Sequence, residues 1–146
     1  MHADAPVWLL RLVRADPLGS VPQAVWPSLI ELAQKLDVSG LVAHRALSAA
    51  RPTDDELVET LRRQRQLAMR RTGFFSAEAA RALEALDARG VVSLVLKGVS
   101  LARTVYEHPA ERSFRDIDLL VAPEDVATAL DALAEIGYSS KDTPAI

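Results

Sequence analysis

Two carboxylates and one lysine carry the sharpest chemistry this sequence offers. The segment Asp116-Ile117-Asp118-Leu119-Leu120-Val121 opens with alternating acid and apolar residues and then runs apolar. In an extended strand successive side chains take opposite faces, so Asp116 and Asp118 share one face while Ile117, Leu119 and Val121 take the other. Carboxylates at i and i+2, with Cα atoms about 6.5–7 Å apart, can converge on hard cations. Oxygen ligands of this kind suit Mg2+ or Mn2+. Two such ions about 3.5–4 Å apart are the usual arrangement for in-line phosphoryl displacement. The plainer alternative is a strand entrance whose acids discourage edge pairing.

The lysine stands in Lys97-Gly98-Val99-Ser100, where an apolar strand hands over to a helix. Lysine is rare in this chain, with Lys35, Lys97 and Lys141 set against fourteen arginines. Free N–H groups and the positive end of a helix make such a turn a natural phosphate cradle. Gly98 would let the backbone approach a ligand, Ser100 offers a hydroxyl donor and Lys97 adds charge. The segment matches neither the Walker pattern nor G-x-G-x-x-G, so those NTPase and dinucleotide readings fail. A simple turn with a capping serine is the competing description.

The elements that must hold these groups change character near residue 90. Before it the patterns are helical. Ser28 and Glu31 form a Ser-x-x-Glu capping box that predicts a helix to about Leu36, with Leu29, Ile30, Ala33 and Leu36 inward. A second helix is expected near 41–50. Thr53 and Glu56 form another box, opening a helix to about Thr72, with acids at its start and the arginines of 62–71 at its end to suit the helix dipole. A further helix spans roughly Ser76 to Ala88, with Leu83 and Leu86 inward and Gly90 as its stop; Gly73 either breaks these last two or bends one long helix. After residue 90, Val91–Leu96 and Ile117–Val121 read as strands and Val99–Tyr106 as a helix. A last helix follows Pro123, with Val126, Leu130, Leu133 and Ile136 inward and Gly137 ending it. A third strand is expected only if Tyr138 onward pairs. The fold class is therefore α+β: a helical region over 1–90 and a sheet unit with flanking helices over 91–146.

Composition narrows the functions available. With 49% hydrophobic and 25% charged residues over 146 positions, the chain is that of an ordinary globular protein. The absence of cysteine excludes disulfides and thiolate-bound zinc. Three histidines (His2, His44, His108) do not suggest a histidine metal site; His44 reads as a packed or surface residue, and His108 as a loop residue near the candidate site. A net charge of −3 argues against coating nucleic acid by bulk charge, and the arginines of 62–71 read first as a solvated helix face. Trp8 and Trp26 read as core anchors. No apolar run approaches the roughly 20 residues that span a bilayer. Arg11 and Arg14 interrupt the apolar patch near the start, so the expected location is the cytoplasm.

Taken together, residues 96–138, LKGVSLARTVYEHPAERSFRDIDLLVAPEDVATALDALAEIGY, resemble the uncharacterised nucleotidyltransferase family of the polymerase-beta-like superfamily. The Lys97-Gly98 turn, the Tyr-x-x-Pro-x-x-Arg segment (Tyr106, Pro109, Arg112), the D-x-D strand and the Gly137-Tyr138 pair carry the resemblance. It implies Mg2+- or Mn2+-dependent transfer of a nucleoside monophosphate from an NTP to an acceptor hydroxyl or phosphate, on a partial mixed sheet behind a helical region. By that resemblance Asp116 and Asp118 hold the metals, Gly98 and Ser100 cradle the triphosphate, and Lys97 and Arg112 neutralise phosphate charge. Arg115 is the less favoured candidate for that last role.

The superfamily takes a third carboxylate from a later strand, and only 28 residues follow Asp118. After Gly137 the one acid is Asp142, in a polar stretch without strand pattern. A longer parent chain, a completing partner or second copy, or a non-catalytic adaptor that binds a partner protein would each account for this.

Overall fold

The computed structural model describes residues 4–16, 21–50 and 52–139. Lys141 and Asp142, with the rest of the chain after Ser139, lie outside them, as does His2. The helical region opens with α1 (Ala5–Arg14), α2 (Trp26–Lys35) and α3 (Ser39–Arg45), the last continued by a π-helical turn, Ala46–Ala50. The helix α4 (Asp55–Asp87) runs for 33 residues from this region to the sheet. Strand β1 (Ser93–Leu96), helix α5 (Gly98–Thr104), strand β2 (Asp118–Val121) and helix α6 (Val126–Glu135) follow. Short 3-10 turns at Pro109–Glu111 and Pro123–Asp125 precede β2 and α6 respectively.

The α+β class stands, with the helical N-terminal region and the sheet in the expected order. Helix starts differ in detail. Helix α2 begins at Trp26, which is almost fully buried, so Ser28 lies inside the first turn and Glu31 pairs with Lys35 at 2.7 Å instead of closing a capping box. Helix α4 is capped by Asp54, whose carboxylate accepts from the Leu57 amide at 2.7 Å, one residue beyond Thr53. Because α4 continues through Gly73, arginines 62–71 sit at its middle, where the end of the helix dipole does not reach them. The helix stops before Gly90, whose φ of +71° is the left-handed value that ends helices.

Three apolar clusters hold the chain together. The largest joins α1, α2, α3 and the start of α4 through Leu12, Trp26, Leu29, Val42 and Leu61; Trp8 packs at its margin. A second sets Phe114, Val99 and Ala102 against Ala79 of α4, with Phe75, Val95 and Ile117 around them. A third packs Ala129 and Ala132 of α6 on Leu86 and Val91, with Leu119, Val121 and Leu133. Burial on α6 therefore follows its alanines, and Leu130 is largely exposed; Leu36, just past the end of α2, is exposed too.

Strands β1 and β2 pair antiparallel, with Ser93 opposite Val121, Leu94 opposite Leu120, Val95 opposite Leu119 and Leu96 opposite Asp118. Val95 and Leu119 face the helices, while the cross-strand pair Leu94 and Leu120 is 58% and 55% exposed. No third strand is present among the described residues to give the sheet its expected mixed character. No helix among them is long and apolar enough to cross a membrane.

Candidate functional site

The register of the sheet builds the centre of the site. Because Leu96 lies opposite Asp118, the residue that follows β1 is brought beside the residue that opens β2. That residue is Lys97, and its Nζ lies 3.4 Å from Asp118 Oδ2, with both groups open to solvent. The lysine backbone has φ +48° and ψ −115°, a region that side chains other than glycine seldom enter. The Leu101 amide donates to the Lys97 carbonyl at 2.7 Å and begins α5 directly from this bend.

Ile117 turns inward beside Phe75 and Val95, as the alternation predicts. Asp116, just ahead of β2, is exposed. Among the described residues no hydrogen bond or ion pair ties Asp116, or the side chains of Ser100 and Arg112, to the Lys97–Asp118 pair. Ser100 sits in the first turn of α5, where its carbonyl accepts from Thr104 Oγ1 at 2.9 Å.

Gly98 has a packing role that the sequence did not suggest. A Cβ there would lie 2.8 Å from both Cβ and Cγ of Phe114, closer than real side-chain carbons approach. The buried Phe114 ring therefore rests directly on the glycine, and it also meets Phe75 at a centroid distance of 5.6 Å.

The two arginines differ in their surroundings. Arg115 Nε donates to Asp37 Oδ2 at 3.1 Å, at the turn between α2 and α3, and this carboxylate raises Arg115 above the ordinary arginine value. Asp37 also meets Arg71 of α4 at 3.8 Å. Arg112 is half-buried, and its Nε is buried with no hydrogen-bond partner. Its carbonyl accepts from Thr72 Oγ1 of α4 at 3.5 Å, and the Pro109 carbonyl accepts from the same hydroxyl at 3.0 Å.

Long-range pairing adds residues that local patterns could not find. Arg45 of α3 donates from Nε to Glu111 Oε1 at 2.9 Å, and Glu111 is almost completely buried. His44 stacks on His108. The missing Cβ of Gly40 leaves room for the Ala110 carbonyl. The segment 108–112, which leads to the D-x-D strand, is thus held from both α3 and α4.

For a cation, the chemistry of the donor set is favourable but incomplete. Asp118 already faces a positive charge, the Lys97 ammonium, so its position accommodates one. Mg2+ is commonly held by one or two carboxylates, the remaining positions going to water and substrate phosphate, so Asp116 and Asp118 are the donor type that such an ion would take. Among the described residues no three histidine, aspartate or glutamate side chains gather as a metal cluster.

No curated protein and no solved structure matches the chain. A family model does, over residues 22–144, and it carries the description "uncharacterised nucleotidyltransferase". The match takes in α2, α3 and α4 as well as the Lys97–Asp118 site, and the chain belongs to the uncharacterised nucleotidyltransferase family.

Proposed function

We propose that the chain transfers a nucleoside monophosphate from an NTP to an acceptor hydroxyl or phosphate, with Mg2+ or Mn2+ held by Asp116 and Asp118. The observation that carries this reading is the juxtaposition of Lys97 with Asp118 across the strand ends, in a chain of this family. Anionic phosphates and a cation-binding carboxylate need to meet at one place, and the pair brings both signs of charge there. The bound ion would neutralise charge on the triphosphate. Lys97, were a cation to take its place at Asp118, would be free to donate to a phosphate oxygen. Gly98 and Ser100 in the first turn of α5 cradle the phosphates, and the unpartnered Nε of Arg112 supports a role in holding charge that develops on the leaving pyrophosphate. The acceptor oxygen bonds to the α-phosphorus as the bond to the pyrophosphate oxygen breaks, and an acceptor hydroxyl loses its proton to solvent water.

A second reading rests on the absence of a third clustered carboxylate among the described residues and on the exposed Leu94–Leu120 face. By it the chain is a non-catalytic member of the family that binds a partner protein.

Titration of the purified chain with each NTP, with and without Mg2+, separates the two. The first reading expects metal-dependent binding that is lost in Asp116→Asn/Asp118→Asn while the thermal melt is retained. Unchanged binding in the double variant overturns the site, and no binding to any nucleotide favours the adaptor.

A further inference from the structure

Two imidazoles from distant parts of the sequence lie face to face. The rings of His44, in α3, and His108, at the start of the 3-10 turn 109–111, have centroids 4.0 Å apart and planes 18° from parallel. His108 Nδ1 accepts a hydrogen bond from the Ala110 amide at 3.2 Å, so this nitrogen carries no proton while the bond is made. His44 Nδ1 is buried with no hydrogen-bond partner. Burial lowers the proton affinity of His44 below that of a free imidazole, and His108, Arg65 of α4 and the neighbouring Arg45 act in the same direction, against Glu111 of the 3-10 turn. Asp16, Tyr106 and Glu107 line, together with His44, Arg45 and Glu111, a cleft of about 540 Å3.

The stack does not stand alone. Beside it Arg45 reaches Glu111, Thr72 reaches the Pro109 carbonyl, and Gly40 admits the Ala110 carbonyl. Each contact ties the segment 108–112 to α3 or α4, and the last residue of that segment is Arg112. The imidazole pair differs from the other ties in one respect: neutral rings stack, whereas two imidazolium charges at this separation repel. Protonating Nδ1 of His108 also removes the acceptor that caps Ala110.

We propose that His44 and His108 are positioning residues, a neutral imidazole clamp that locks segment 108–112, and with it Arg112, against α3 and α4 and lets go when it is protonated. That Arg112 then serves a nucleotide rests on the function proposed above; the clamp does not.

The test is amide hydrogen exchange by NMR on the unliganded chain from pH 8 to pH 5, corrected for intrinsic exchange, together with the imidazole C–H shifts. The Ala110 and Glu111 amides should lose protection as the pH falls, by about tenfold for each unit by which the proton affinity of His44 lies below that of free imidazole. His44→Phe keeps an aromatic face without a charge and should shrink the step. His108→Asn keeps an acceptor for the Ala110 amide and cannot titrate in this range, so the step should vanish. Protection that stays constant in the parent chain, or an equal step in His108→Asn, overturns the clamp. The parent measurement decides the matter even if a variant does not fold. A chain that binds no nucleotide yet shows the step refutes the functional reading and leaves the clamp standing.

Discussion

Replacing Gly40 and Gly73 by alanine makes the same chemical change inside two helices, and the structure requires opposite outcomes. Gly73 lies in the middle of α4, exposed, and an added Cβ meets nothing within 4 Å. Only the intrinsic preference is left there, and alanine is favoured over glycine in a helix interior by about 1 kcal/mol. Gly40 lies in the first turn of α3, and its Cβ would stand 2.2 Å from the Ala110 carbonyl oxygen and 2.5 Å from Ala68 Cβ. Neither atom is the end of a flexible side chain. Relief requires α3, α4 or the 109–111 turn to shift as a body. Overpacking of this kind costs roughly 1–3 kcal/mol, and contact with backbone puts Gly40 at the upper end. After the helix preference is subtracted, Gly40→Ala should lose about 2 kcal/mol. For a chain of this size that corresponds to a fall in Tm of about 4–8 °C, against a rise of about 2–4 °C for Gly73→Ala. Calorimetric melts of the two variants beside the parent are sufficient. A Gly40→Ala protein as stable as the parent would refute the close approach of α3 to the turn, and with it the account of how the helical region grips segment 108–112.

Two further variants probe the bend at the start of α5. Gly98→Ala should destabilise by about 1–3 kcal/mol through Phe114, and in a urea double-mutant cycle with Phe114→Leu the two changes should couple by at least about 0.5 kcal/mol; strict additivity would show that the ring does not rest on the glycine. Lys97→Gly removes a residue other than glycine from a left-handed bend that costs about 1–3 kcal/mol, so after the extra chain entropy of glycine it should be as stable as the parent or slightly more so, while Mg2+-dependent nucleotide binding, measured by calorimetry, is lost. Clear destabilisation would mean that the strained bend is not what the lysine occupies.

What the sequence disclosed and what it hid divide by the range of the interaction. Strands β1 and β2 are short apolar runs between breakers, and the inward Ile117, Leu119 and Val121 follow from period-two alternation alone. Helix starts slipped, by one residue at α4 and three at α2: Asp54 stands beside Thr53 and takes the cap, and the burial of Trp26 draws α2 upstream of Ser28. At Gly73 the sequence leaves a break and one long helix both open, and the structure takes the continuous helix. A loss of about 1 kcal/mol is small beside the burial of Thr72 and Ala79 on either side of it. The pairs His44–His108, Arg45–Glu111 and Arg115–Asp37 join residues more than sixty positions apart, and no local pattern announces them. The same holds for the packing of Phe114 against Gly98, sixteen positions away.

The conformation of Lys97 links fold to site more directly than any motif does. A strand that ends at Leu96 and a helix that starts at Gly98 leave one residue to turn the chain, and the bond from the Leu101 amide to the Lys97 carbonyl fixes where that turn falls. The bend would be less strained with glycine at this position. A lysine there is sterically disfavoured, and what it adds is an ammonium placed beside Asp118 by the register of β1 on β2. Strain of this kind persists only where the surrounding structure over-determines it, and here the surroundings are specific. Phe114 fills the space against Gly98, and Phe114 in turn stands between Arg112 and the D-x-D strand. Moving the bend would therefore disturb the buried ring, the arginine-bearing segment and the aspartates together. The helices before residue 90 enter at the same point, because α4 carries Thr72 to segment 108–112 and Phe75 to Phe114. A family match that takes in α2, α3 and α4 is what this mechanical dependence leads one to expect: α3 and α4 grip the loop, and α4 backs the strained turn, in the arrangement that sets a lysine against an aspartate.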